Sequence, residues 1–446
     1  MTRSGRSEFT NSARAELFAY RRRKAAGIHL HLELDAQSKK RLNTESQDER
    51  FVSEVAKGLK EQGRHTPFRL PVAIRMHFHV GLERTPPQIH QLPKHYLDLL
   101  QRHIASRPPD RRPLLLQDDR LVEALFCSYT FADEEPSTPF MSFEVTTLTS
   151  FVRDLQLHRR IATGDFDEID GVRELKIKDP YGLGDHDDEL RDDSIDEYRR
   201  LVRMGESGRR HYGKKLYDAL LLMNKHAAQH ELLRRRELRP VDIATLYGPI
   251  PGRGRHDELF RSLLEVSAAN VRQITTLGVA CADLGPPAAQ TGDSDILKVK
   301  VRAALEKMRD EYPILNPLYS TVGVTLLYVR PLKAQAIDLD NLARRFVVPI
   351  VHEELKPPAT SLHAIQHLKP DDVDDEWVRN RLERLRRAHK HQITRYQVFS
   401  LPRIKDDPLE GKITVLIHGG DEIDQRWSAY RDELDAWESV VSRMRQ

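Results

Sequence analysis

Apolar and polar residues alternate most cleanly in two short stretches. In 28–34 (IHLHLEL), Leu30, Leu32 and Leu34 fall on one face; in 72–80 (VAIRMHFHV), Ile74, Met76, Phe78 and Val80 oppose Arg75, His77 and His79. A period of two is that of a strand with one buried face. Between the two, the pattern changes to that of a helix near 48–61. A helix near 91–105 follows, then a Pro-rich loop and two more strands, from Leu121 to Tyr129 and from Phe140 to Thr146. A short basic helix over 14–24 precedes the first strand.

The same order of elements recurs about 250 residues later, the kind of signal that changes a fold assignment. TTLGVACADL (275–284) stands in the place of the first strand, and KVKVRAALEKM (298–308) resembles SEVAKGLKEQ (53–62). TVGVTLLYV (321–329) matches the second strand and 341–355 the next helix, while ITRYQVFSL (393–401) and KITVLIH (412–418) match the last strand pair. Few residues are identical, but one order at one offset predicts an α+β chain of two related units with small mixed or antiparallel sheets, 27–150 and 270–420. A basic helical segment (1–26) precedes them, and 151–269 joins them. Within that joining piece, 164–198 is strongly acidic and punctuated by Gly and Pro, which reads as a loop or disordered linker, and 199–238 reads as helical and basic. YGPIPGRGR (247–255) lacks the Lys-Ser/Thr ending of a phosphate-binding P-loop and reads as a plain loop. The last segment, 421–446, is amphipathic, with Trp427, Leu434, Trp437, Val441 and Met444 at heptad-like spacing. Docking on its own chain is the plainer reading of such a stripe; a helix for a protein partner or an oligomer is the other.

Composition narrows the function classes. With 39% apolar residues over 446 positions the chain can build several cores. The formal net charge of +3 is too small for a global field to attract nucleic acid, so any such binding must use local patches. Two cysteines, Cys127 and Cys281, exclude a disulfide scaffold and a Cys-rich zinc module. MTRSGRSEFTNSARAELF holds no apolar signal core, and no run approaches the roughly 20 apolar residues of a membrane helix. A cytoplasmic protein without membrane contact is expected.

The sharpest chemical feature is Asp338-Leu339-Asp340-Asn341, which follows a strand and opens an apolar helix. Residues two apart in extended chain point the same way, so both carboxylates can meet at one hard cation. The same residues also fit a plainer role, with Asp340 capping the helix and Asp338 solvated beside it. Strand, DxDN and a helix with a basic residue four positions after the second Asp together resemble the RusA-type Holliday junction resolvases. The resemblance implies Mg²⁺ or Mn²⁺ on Asp338 and Asp340, Arg344 at the scissile phosphate, Asn341 capping or supporting, and branched DNA as substrate. The first unit resembles the family in a complementary way. Gln88-Ile89-His90-Gln91 replaces DxDN, yet Lys94 stands where the family has its lysine, and QDDRLVEALF (117–126) is similar to the second acidic stretch, with Asp118 or Asp119 as third acid. On this reading the first unit is a vestigial site. The second unit has only the inserted Asp371, Asp372, Asp374 and Asp375 to offer as third acid. Since the family works as dimers, two units in one chain imitate a dimer.

Two further features carry chemistry. The segment EWVRNRLERLRRAHKH (376–391) reads as a basic helix in which Arg379, Arg381, Arg384, Arg386, Arg387 and Lys390 can track phosphates; a salt-bridged surface helix fits the same residues. His29 with His31, and His77 with His79, alternate on strands, which suits either a transition metal or a polar sheet face. Three functions stay open: a Mg²⁺-dependent endonuclease on branched DNA, a non-catalytic DNA-binding or scaffold subunit, and a protein-interaction module.

Overall fold

The computed structural model describes residues 13–37, 44–80, 87–104, 112–131, 138–164, 185–234, 238–248, 281–285, 293–329, 338–357, 363, 365, 382, 385, 392–401, 411–419 and 423–443. The N-terminal half of the chain runs α1 (Ala13–Ala26), β1 (Ile28–Leu32), α2 (Thr44–Glu61), β2 (Val72–Val80), α3 (Leu92–Leu100), β3 (Val122–Phe131), β4 (Phe140–Thr147) and α4 (Leu148–Ala162). A helical pair follows, α5 (Asp185–Tyr212) and α6 (Lys214–Arg234), then α7 (Pro240–Tyr247). The second unit runs β5 (Cys281–Gly285), α8 (Asp293–Glu311), β6 (Val322–Val329), α9 (Leu339–Leu342), α10 (Val348–Leu355), β7 (Ile393–Leu401) and β8 (Ile413–Gly419), and α11 (Ile423–Arg443) closes the chain.

The fold is α+β, built on one mixed sheet of eight strands in the order β1-β4-β2-β3-β7-β6-β8-β5. The sequence pattern leads one to expect a separate small sheet in each unit; instead β3 and β7 pair antiparallel, with Cys127 opposite Tyr396. That pairing satisfies the backbone of two strands that would otherwise be open edges. Read inward from either edge, the two halves match in order and sense. β1–β4 and β5–β8 are antiparallel, as are β4–β2 and β8–β6, while β2–β3 and β6–β7 are parallel. Even a register irregularity falls at the same step, between Val72 and Ala73 in one half and between Val322 and Gly323 in the other.

One face of the sheet carries the larger core, in which Ile74, Met76 and Phe78 of β2 and Val324, Leu326 and Tyr328 of β6 pack under α2, α3, α8, α9 and α10. The alternation read in β1 and β2 holds, since Leu30 and Leu32 are buried while His29 and His31 are exposed. On the opposite face, α1, α4, α7 and α11 cover Phe126, Phe399 and Leu416. The C-terminal stripe docks on its own chain: Trp427, Leu434, Trp437 and Val441 are buried, with Trp427 edge-on to Phe126 at 4.9 Å and Trp437 edge-on to Tyr20 at 6.3 Å.

Two expectations are corrected. From Asp185 onward the acidic run is helical, not a loop or disordered linker. The Gly and Pro residues that suggest a loop all precede it, and no further one occurs until Gly205. The i,i+3 pair of Asp196 with Arg199 at 3.1 Å supports the exposed face. The helix expected near 91–105 ends at Leu100. Among the described residues, no helix is long and apolar enough to cross a membrane.

Candidate metal centre

The chain enters β3 through a 3-10 turn, Asp119–Leu121. Asp118 starts that turn, its carboxylate accepting from the Arg120 N–H at 2.9 Å, while the Asp119 side chain is only 12% exposed and accepts from Lys94. Helix α9 lies over β3 and β7, the strands that join the two halves. Asp338, at its N-cap, and Asp340, in its first turn, therefore come down beside the start of β3. The result is a cluster of Asp119, Asp338 and Asp340, with one carboxylate oxygen of each lying within 4.8 Å of the others.

The simple capping reading does not describe this cluster. Asp338 holds the N-cap position but its side chain accepts no capping hydrogen bond from the helix. It accepts instead from the Asn341 amide at 2.8 Å, and the Asn341 carbonyl in turn accepts from Arg344 at 3.1 Å. Asp340 is only 2% exposed. Its Oδ2, like Asp338 Oδ1, is buried without a hydrogen-bond partner, although the Arg120 guanidinium stands 3.7 Å from the latter. A buried carboxylate oxygen with no donor is costly, and it is the atom a cation would satisfy.

Charge at the site comes from both halves. The Lys94 ammonium donates to Asp119 and stands 3.3 Å from Asp98. Burial works against its charge, but Asp119, Asp340 and Asp98 outweigh this and hold Lys94 above the usual amine range. Asp340 is pushed up to about 6 by burial, against the pull of Lys94 and with added repulsion from Asp119 and Asp338. Burial pushes Asp119 up as well, but the lysine bonded to it prevails and leaves it below the usual carboxylate range.

The donor set is all oxygen, which suits a hard cation such as Mg²⁺ or Mn²⁺ and not a zinc-type site. Oxygens around an octahedral Mg²⁺ are about 3 to 4 Å apart, so three carboxylates at this spacing need only small rotations to share one ion. The buried partnerless oxygens of Asp338 and Asp340 fit such an ion. Among the described residues, no other group of three His, Cys, Asp or Glu side chains meets at such spacing.

Asp338 and Asp340 stand together as the sequence suggests. Asp119, expected in a separate vestigial site with Lys94 and Asp118, lies instead with Asp338 and Asp340, and Lys94 bonds it. The sequence also offers Asp371, Asp372, Asp374 and Asp375 as a third acid. Those four residues lie outside the described residues, as do Arg379, Arg381, Arg384, Arg386, Arg387 and Lys390. Of that basic segment Leu382 and Leu385 are described; both are buried against Leu222, Met223, Tyr319 and Ile365. Arg344 bonds Asn341 and lends its charge to His90, whose imidazole is pushed down to about 4 by burial, then by His352 and Arg344. The strand histidines serve a polar sheet face: His77 shares hydrogen bonds with Ser128 and Thr130, each at 2.9 Å, and His79 stacks on Phe140 at 4.8 Å. Comparison with protein-family models, with curated proteins and with solved structures gives no match for this chain.

Proposed function

We propose that the chain is a tandem pair of RusA-like units that binds branched DNA and cuts it at one composite centre holding Mg²⁺ or Mn²⁺ on Asp119, Asp338 and Asp340. The observation that carries this reading is the convergence of three carboxylates from two halves of the chain, one of them almost wholly buried with a partnerless oxygen. The repeated strand order, the shared irregularity at Val72 and Val322 and the antiparallel β3–β7 joint support a duplication that mimics a twofold dimer.

The roles follow from the geometry. Asp119, Asp338 and Asp340 bind the cation, and Asn341 fixes the rotamer of Asp338. When bound, a divalent cation supplies Lewis-acid stabilisation of the phosphoryl oxygens and of the leaving oxygen. Lys94, anchored by Asp119, is placed to donate to a phosphate oxygen as negative charge develops. The competing reading, DNA binding without cleavage, gains from the same lysine, since Lys94 already compensates Asp119 when no metal is bound.

Incubation of the purified protein with a labelled four-way DNA junction and Mg²⁺ or Mn²⁺ tests the proposal. Cleavage should depend on the metal and drop by orders of magnitude in Asp338→Asn and Asp340→Asn, with DNA binding retained. Metal-independent binding with no cleavage would favour the scaffold reading. Cleavage that persists in both variants would mean that the chemistry happens elsewhere.

A further inference from the structure

We propose that the twofold-related counterpart of the metal centre, built around His90 and Arg344, is a phosphate-binding subsite that grips the nucleic-acid backbone without a metal and without cutting it. The inference rests on the reading above, in which the halves are copies and the ligand is a nucleic acid.

The correspondence is positional. Val72 of β2 and Val322 of β6 begin their strands at matched places. Counted from them, Gln88, His90 and Lys94 fall where Asp338, Asp340 and Arg344 fall. Each motif thus has a cation four positions on, and each cation serves the other half's motif. Lys94 of the first unit bonds Asp119, which clusters with Asp340 of the second, and the turn that carries Arg344 in the second packs against the turn that carries His90 in the first. The 3-10 turn Ile89–Gln91 packs against both β3 and β7, as α9 does, and touches the π-helical turn Ala343–Val347 that carries Arg344. The exchange is what a twofold at the β3–β7 joint requires.

The two constellations differ in chemistry. One offers three carboxylates to one amine. The other offers Gln88, His90 and Arg344, with His352 of α10 beside them and no carboxylate in the motif. A divalent cation finds no hard anionic ligand there and meets a fixed positive charge. His90 is 7% exposed. Arg344 spends one terminal nitrogen on Asn341, while its Nε is buried without a partner. A buried guanidinium donor without a partner is costly for folding alone, and together with the imidazole on the neighbouring turn it matches the acceptor oxygens of a phosphodiester. The motif Tyr129 holds in place, donating to the Pro87 carbonyl just before Gln88, is thereby kept as a rigid half-site. On a four-armed substrate, backbones related by a twofold present phosphates to both constellations; one is bound at the metal centre and the other at Arg344 and His90.

The test is the binding of a fluorescent four-way DNA junction in EDTA, over a series of salt concentrations, with the full-length protein and its Arg344→Gln, Arg344→Lys and His90→Gln variants. Mn²⁺ binding to each protein is measured in parallel. The expected result is about tenfold weaker junction binding for Arg344→Gln, with the salt slope reduced by about one. Arg344→Lys should recover much of the loss, and Mn²⁺ affinity should stay within about twofold of the parent in all three. Should Arg344→Gln fail to fold, His90→Gln, which keeps a donor of similar size, carries the test with a smaller loss in the same direction. Unchanged affinity and slope in the folded variants would overturn the proposal. So would a parallel loss of Mn²⁺ affinity, because Arg344 would then act through Asn341 on Asp338. A parent protein that binds no Mn²⁺ but loses junction affinity in these variants would retain this subsite and remove the metal-centre reading instead.

Discussion

Lys94 and Asp340 set the charge balance of the acidic cluster, and they come from different halves of the chain. Lys94 neutralises part of a cluster that would otherwise hold three carboxylates together at a cost of several kcal/mol. Removing that ammonium should therefore separate binding from catalysis. In Lys94→Gln, Mn²⁺ affinity should rise several-fold, because the cation loses a competitor, while single-turnover cleavage falls by about a hundredfold. Calorimetry and a cleavage time course read the two effects independently. Asp340 governs pH dependence. Its folded value of about 6 lies above its ordinary 3.8, so the folded chain holds the extra proton between these limits, and ionising Asp340 removes stability as pH rises through that window. A cation must displace the same proton, so Mn²⁺ affinity should fall about tenfold per unit as pH drops below about 6. A flat affinity from pH 5 to 7 would mean that Asp340 is not a ligand. At this scale the sequence was partly legible. Asp338 and Asp340 stand out by spacing alone. Asp119 was visible as an acid but not as their partner, because the contact crosses two strands paired over a separation no local pattern encodes. One feature of the sequence bears on it: against the resemblance described above, Lys94 and Asp119 match in the first half, and Asp338 and Asp340 match in the second.

The elements were read best where one face is buried and one is not. β1, β2, α2 and α11 carry clean periods, and each forms within a few residues of its expected limits. The acidic start of α5 was misread because dense like charge and the Gly and Pro residues upstream suggested a loop, while the i,i+3 Asp–Arg and Glu–Arg pairs within it argue for a helix. The C-terminal helix is an integral part of the fold: α11 seats Trp437, fully buried, against Tyr20 of α1. Ion pairs from Lys24 to Asp435 at 2.6 Å and from Arg21 to Glu438 at 2.7 Å flank that contact, but both are surface pairs and add little. Trp437→Ala should cost about 3–5 kcal/mol in urea unfolding, whereas Arg21→Ala should cost less than about 1 kcal/mol. A mild effect of the Trp437 substitution would indicate that α11 is detachable and free to serve a partner.

On the scale of the whole molecule, the sheet brings the carboxylates of Asp119, Asp338 and Asp340 together from both halves of the chain. Joining β3 to β7 brings Asp119, just before β3, beside Asp338 and Asp340 of the other half. In register with Asp119, which lies three residues before β3, the second unit carries Lys390, three residues before β7. The order of elements was legible in the sequence, since it repeats; the merging of the halves into one sheet was not, because strand edges look alike in sequence whether they pair or stay open. The most direct measurement is the stoichiometry of Mn²⁺ binding to the full-length protein and to Asp119→Asn, followed by calorimetry or paramagnetic resonance. The account predicts one tight ion per chain in the parent, and a loss of at least about tenfold in affinity in Asp119→Asn with the thermal midpoint preserved. Two equivalent ions per chain, or an Asp119→Asn protein that binds Mn²⁺ as the parent does, would contradict a single centre shared between the halves.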